Sequence, residues 1–198
     1  MSTEPPKPLV GVSALLFNSD GKILTGNRIG SHGAGTIQVP GGHLNFREHP
    51  FACAERETLE ETGLNVRAIM QVTTTNDVFE ESNKHYITIF VLCELVDEND
   101  QPQTLEPKKC EGWNWKPWDY LVNINSIASG EQGEKLFLPL VNLLEQGTSP
   151  EDLKIKEKTG HSLPKQAGWK IYIMPALMMS VMAISRLMAD SLWTGRRT

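Results

Sequence analysis

A short acidic stretch held between glycine breaks constrains this chain more than any other feature. Gly41 and Gly42 interrupt the chain after Pro40, and Gly63 closes the segment that follows. Pro50 has the fixed φ that suits a first helical turn, so a helix is predicted from there to Gly63, the natural stop. Its centre reads Ala54-Glu55-Arg56-Glu57-Thr58-Leu59-Glu60-Glu61-Thr62. On a helix, Glu57 lies three residues from Glu60 and four from Glu61, so all three carboxylates project to one side. Charges so close repel, and without a cation among them they reduce stability or raise a pKa. Oxygen-only donors select a hard cation, and a few carboxylates that leave room for water and phosphate describe Mg²⁺ or Mn²⁺ better than a calcium cage. Glu48 stands just before the helix, where the dipole favours an anion. A bare Glu-rich helix face is otherwise an ordinary solvated surface.

Around this helix the chain alternates strand-like and helix-like stretches, the pattern of an α/β domain. Leu9 to Phe17 is a near-continuous apolar run ended by Asn18-Ser19-Asp20-Gly21, which predicts a buried strand entering a hairpin with Lys22–Thr25 as the return. Further strands are expected at Val66–Thr75 and Tyr86–Val96, rich in β-branched and aromatic residues. A helix is expected from Glu134 to Gln146, with Gly147 as its cap. Trp113, Trp115 and Trp118 are spaced as a strand and its corner would be. Residues 1–7 read as a disordered tail, 8–147 as the domain and 148–198 as a C-terminal helical extension of different composition. Residues 151–198 hold eight Lys or Arg against four Asp or Glu, and five methionines fall between Met174 and Met188. Ile171 to Ser185 carries no charge, but fifteen helical residues reach only about 22 Å, short of a bilayer core of roughly 30 Å. Docking on the domain or on a partner subunit is therefore expected there rather than membrane association.

The formal charge of -5 over 198 residues argues against tight, sequence-independent binding to a nucleic-acid polymer, which needs a basic surface to displace counterions. A small polyanionic ligand would need a local cation, most simply a metal. Cys53, Cys93 and Cys110 show no paired spacing and are expected as reduced thiols. The opening MSTEPPKPL lacks the basic start and apolar run of a signal peptide, which points to a cytoplasmic or nuclear location. His32, His49 and His161 have no partners at metal-ligand spacing and read as structural.

Gly42, Glu48, Arg56-Glu57, Glu60-Glu61 and Gly63-Leu64 stand at the spacing of the Nudix box. Seven fixed positions at about 7% usage each give a chance match on the order of 10⁻⁸ per window. The chain resembles Nudix hydrolases over about residues 8–147, and Thr58 departs from the aliphatic residue usual after Arg-Glu. The resemblance implies an α/β/α sandwich with a mixed sheet. It implies Glu57 and Glu61 as principal ligands of Mg²⁺ or Mn²⁺, Glu60 as a neighbouring ligand or base, and the Gly41 carbonyl as a further donor. Arg56 would orient the carboxylates, with Glu48 as its partner, and Glu61 and Glu60 are both candidates for the general base.

Outside the box, Gly30-Ser31, Gly33-Ala34-Gly35, Gln38 to Leu44, His85 to Ile89, and Glu106-Pro107-Lys108 through Trp118 resemble the MutT-homologue branch. That branch hydrolyses nucleoside triphosphates, including oxidised and modified purine nucleotides, to monophosphate and pyrophosphate, and often forms a homodimer. Arg28, His43 and Thr88 match positions that meet the nucleotide: a guanidinium and an imidazole suit phosphate oxygens, and a strand hydroxyl suits a base or sugar edge. Where the branch carries an aromatic in a late helix against the base, this chain reads Phe137-Leu138-Pro139. Two alternatives are a Nudix hydrolase of another nucleoside diphosphate derivative and a Nudix module that binds without hydrolysing. Such modules usually lack box carboxylates, and here Glu57, Glu60 and Glu61 all stand.

Overall fold

The computed structural model describes residues 7–30, 32–127 and 133–154. The readings for residues 1–6 and for the uncharged run Ile171–Ser185 lie outside these. Among the described residues no helix is long and apolar enough to cross a membrane.

Among the described residues, eight strands form two mixed sheets. Leu9–Leu16 (β1), Gly41–His43 (β4), Val66–Phe79 (β5) and Lys84–Leu95 (β6) make the first, in the order β4-β1-β6-β5. Ile23–Arg28 (β2), Thr36–Gln38 (β3), Cys110–Lys116 (β7) and Lys135–Leu136 (β8) make the second, in the order β7-β2-β3-β8. The helices are Pro50–Thr62 (α1), Trp118–Ile127 (α2), Leu138–Glu145 (α3) and Pro150–Lys154 (α4). The α/β class and the mixed strand directions agree with the sequence reading.

The second half of the apolar run, Val12 to Leu16, packs on both faces, which is why it does not alternate with polar residues, while Leu9 and Val10 at its start are exposed. Val12, Ala14 and Leu16 face a cluster with Cys53 and Ala54 of α1, Leu64, Val91 and Trp113. Leu15 faces the opposite cluster with Phe90, Trp118, Leu121, Leu140 and Leu143 from the α2 and α3 side, and Leu153 of α4 joins it. Helix α1 thus covers one side and α2 with α3 the other. Parallel pairing of β1 with β6 sets Gly11 beside Thr88, and antiparallel pairing with β4 sets Ser13 beside Gly41.

Two local expectations change. The turn at Asn18–Gly21 forms, with the Asn18 side chain accepting from the backbone N–H groups of Asp20 and Lys22. The return strand, however, meets β1 only at the Phe17–Ile23 bridge and then joins β7 and β3 in the other sheet. Side-chain burial on both sheets outweighs the local hairpin. The helix expected over Glu134–Gln146 begins at Leu138, with Phe137 as its extended N-cap and Pro139 in its first turn, where a missing N–H costs no helical hydrogen bond. Lys135 and Leu136 instead pair parallel with β3. Helix α1 and its Gly63 cap, at φ 73°, lie where the sequence placed them. His49 is its N-cap, accepting from the Phe51 N–H through Nδ1 at 3.2 Å. Thr58 is fully buried and satisfies its hydroxyl on the Ala54 carbonyl at 2.7 Å, so the box tolerates it. Cys53, Cys93 and Cys110 are free and buried.

The second sheet is tight where β2 meets β7. A Cβ on Gly26 would stand 2.6 Å from the Cys110 sulfur and 2.8 Å from the Trp113 ring. Gly26→Ala should lower stability by about 1–3 kcal/mol, read from the shift of the urea midpoint at constant slope.

Candidate active site

The acidic helix presents its carboxylates to a loop that only glycine permits. A Cβ on Gly41 would collide with the Val12 carbonyl, and one on Gly42 would overlap the Glu57 carboxylate. The paired glycines therefore bring the β4 backbone directly against Glu57 and Glu61. Glu61 accepts the Gly41 N–H at 3.0 Å.

Arg56 organises the remaining carboxylates. Its Nε and Nη2 hold Glu48 in a fork, at 2.7 and 2.9 Å, and its Nη1 reaches Glu57 at 2.7 Å and Glu60 at 3.1 Å. Nη2 also donates to the His43 carbonyl at 3.3 Å, tying α1 to β4. The Arg56 hydrogen bond pulls the Glu48 carboxyl down to about 2, and the Glu48 hydrogen bond raises the guanidinium in turn. Glu48 thus serves as the partner of Arg56, and it also accepts the Asn45 N–H at 2.9 Å.

Glu61 has a different environment. Only 6% exposed, it is pushed up to about 8, first by burial and then by the charges of Glu57 and Glu106, against the Gly41 N–H and Lys109. Among the described residues no three His, Cys, Asp or Glu side chains already converge as a metal site. The donor set nevertheless fits a hard divalent ion: two carboxylates and glycine backbone share one wall, and Glu61 lacks a cation of its own.

A cavity of about 440 Å³ extends from this wall. Arg28, Gly41, His43, Glu57, Glu61 and Thr88 all line it, so six of the eight predicted site residues meet there. Glu60 and Arg56 stand outside the lining, Glu60 with its side chain 54% exposed. His43 is exposed, with its Nε2 3.1 Å from the Tyr86 hydroxyl. Arg28 differs from the expectation of a free phosphate clamp. Its Nε donates to the His32 carbonyl and its Nη1 to Gln38 Oε1, both at 2.5 Å, while the guanidinium lies 4.5 Å over the Phe137 ring. Two of its three nitrogens brace the cavity wall instead.

Several lining residues escaped the sequence reading. His32, Phe79, Tyr86 and Phe137 form an aromatic cluster, with His32 4.1 Å from Phe79 and Phe79 stacked on Phe137 at 5.4 Å. Lys108 and Lys109 add positive charge. Phe137 was legible as the local aromatic, but four residues from distant strands and loops carry no shared spacing.

Two outcomes follow. Without metal, the Glu61 carboxyl is raised from about 4.5 to about 8, so its penalty on the fold is absent below about pH 4.5, grows as pH rises to about 8, and is complete above that. Glu61→Gln keeps an acceptor for Gly41 and should melt higher than the unsubstituted chain at pH 8, by several degrees, with the gap closing towards pH 4.5 in thermal scans under EDTA. Gly42→Ala displaces a flexible carboxylate rather than backbone. It should leave the melting temperature nearly unchanged, and added Mg²⁺ should raise the melting temperature of the unsubstituted chain but not that of the variant.

The comparisons with known proteins agree with this arrangement. A MutT-like protein of Streptomyces ambofaciens is 29% identical over 92 residues, covering 46% of this chain and 55% of its own. An RNA pyrophosphohydrolase of Roseobacter denitrificans is 38% identical over 73 residues, 37% of this chain and 44% of its own. The chain thus spans about half the length of these curated relatives. The crystal structure of a MutT NUDIX hydrolase from Burkholderia pseudomallei superposes with a TM-score of 0.59 at 24% identity, over 72% of this chain and all of that one. A MutT protein from Methanosarcina mazei Go1 gives 0.59 at 22%, over 77% of this chain and all of its own, and both share the fold. The NUDIX domain profile matches residues 7–140, more than half of the sequence, and the chain belongs to the NUDIX domain family.

Proposed function

We propose that this protein is a metal-dependent hydrolase of nucleoside triphosphates that releases the monophosphate and pyrophosphate. The observation that carries the reading is the single cavity joining the Glu57 and Glu61 carboxylates to an aromatic cluster and a strand hydroxyl. A phosphate chain suits the first end and a base the second, and the chain's names among relatives, MutT-like and pyrophosphohydrolase, point the same way.

Glu57, Glu61 and the Gly41 carbonyl would hold Mg²⁺ or Mn²⁺, with Glu60 as a neighbouring donor from the rim. Bound there, the ion would offset the phosphate charge and polarise a phosphoryl oxygen. Arg56 keeps Glu57 oriented towards the cavity through charge-assisted hydrogen bonds. Lys108, Lys109 and His43 offer donors to phosphate oxygens, in a chain whose overall charge is negative. Glu61, buried at the cavity wall, and Glu60, exposed beside it on the same helix, are the two candidates to accept the proton of an attacking water. Phe79, Phe137 and Tyr86 present ring faces on which a nucleobase can stack.

Assays of a nucleoside triphosphate panel with Mg²⁺ test the reading, with a dinucleotide and a sugar nucleotide as contrasts. Hydrolysis in ¹⁸O-water should yield pyrophosphate and monophosphate, and orthophosphate with a nucleoside diphosphate would contradict the proposed bond. Glu61→Gln should cut turnover by orders of magnitude, because it removes a charged metal donor, and a comparable loss in Glu60→Gln with metal binding retained would favour Glu60 as the base. Near-normal turnover in Glu61→Gln would remove it from the chemistry.

A further inference from the structure

A wholly buried carboxylate lies behind Thr88. Asp77 on β5 is 0% exposed, and its Oδ2 accepts from the hydroxyls of Thr75, at 3.0 Å, and Thr88, at 2.5 Å. Its Oδ1 accepts from the Asn142 side-chain amide of α3 at 2.8 Å. A carboxylate has no proton to give and an amide NH₂ none to accept, so the direction of each bond is determined. The short contact is that of a charge-assisted O–H···O⁻ bond. The Thr88 proton is therefore committed to Asp77, and its oxygen has only lone pairs left for anything else.

Thr88 borders the cavity, as does Gly11, its register partner on β1. Thr88 is only 4% exposed, and a Cβ on Gly11 would stand 3.5 Å from its Oγ1, in ordinary contact, so the glycine keeps the approach to the hydroxyl free of a side chain on that side.

We propose that Asp77 is a specificity-determining positioning residue: by holding the Thr88 proton it makes this part of the cavity a hydrogen-bond acceptor, which selects a base carrying a ring N–H, as 6-oxopurines do, over a purine edge with acceptors alone. The proposal rests on the reading of the cavity as a nucleotide site. It assigns Thr88 a polarity that threonine by itself does not have, since a free hydroxyl both donates and accepts.

Inosine 5′-monophosphate carries one N–H on its base and purine riboside 5′-monophosphate none, so their binding by calorimetry with Mg²⁺ reads the polarity directly. The unsubstituted protein should favour inosine monophosphate about tenfold. In Asp77→Asn the Asn142 amide still demands an oxygen, so the new NH₂ turns to Thr75 and Thr88. The Thr88 proton is then released towards the cavity, and the preference should vanish or invert, which a merely structural loss would not produce. Thr88→Val should also abolish it. Gly11→Ala covers the hydroxyl by ordinary contacts, so it should keep the melting temperature and lose the preference, which keeps the proposal testable if Asp77→Asn does not fold.

Equal binding of the two nucleotides, or an unchanged ratio in folded Asp77→Asn and Gly11→Ala, overturns the assignment. Hydrolysis of the corresponding triphosphates, run in parallel, separates it from the functional reading. Preference in binding without hydrolysis defeats that reading and supports the role of Asp77. Hydrolysis with kcat/KM ratios that the variants do not move defeats Asp77 alone. Absence of binding to either nucleotide overturns both.

Discussion

The fork that Arg56 makes with Glu48, extended to Glu57 and Glu60, is the interaction on which the site depends. One guanidinium answers three carboxylates that would otherwise repel, and it reaches the His43 carbonyl of the neighbouring strand as well. Its planar donors suit this arrangement in a way that the point charge of a lysine would not. Because Glu48 takes two donors and holds its proton only to about 2, the Arg56 head is fixed from one side while Glu57 is oriented from the other. The carboxylates around Arg56 thus share one cation, whereas Glu61, the buried member of the set, makes no ion pair with it. A buried carboxylate so placed on a cavity wall is what a divalent ion would answer.

The glycines and the central strands make that wall accessible. The central residues of β1 and β6 are buried on both faces by helices and by side chains of the second sheet, so their backbone positions are held firmly. Gly11, Gly41 and Gly42 lie along the same edge and omit side chains where the cavity opens. The rigid scaffold therefore carries the site on strand ends and one helix rather than on long loops.

The opposite end of the cavity follows a different logic. Its aromatic rings and its Thr88 hydroxyl come from β5, β6, the segment before β3 and the start of α3, and each is held by a neighbour that has no local relation to it. Arg28 lies over Phe137, and Asn142 secures Asp77, which secures Thr88. The Arg28 guanidinium was readable as a cation suited to phosphate. Its actual commitments to His32 and Gln38 arise because β2, β3 and the intervening turn fold it back on their own backbone.

The sequence by itself determined the helix α1, its glycine stop and the grouping of its carboxylates, because helical periodicity and capping are properties of residues within a dozen positions. It also determined the doubly buried second half of β1, since an uninterrupted apolar run has few other uses. Only the tertiary structure decided that Lys22–Thr25 leaves its hairpin partner for the second sheet, and that Leu136 pairs with β3 instead of opening a helix. The same holds for Asp77, Thr75, Thr88 and Asn142, which span β5, β6 and α3. Strand pairing and helix packing bring such groups together through long-range burial, and a hydrogen bond across that distance leaves no periodic trace in the chain.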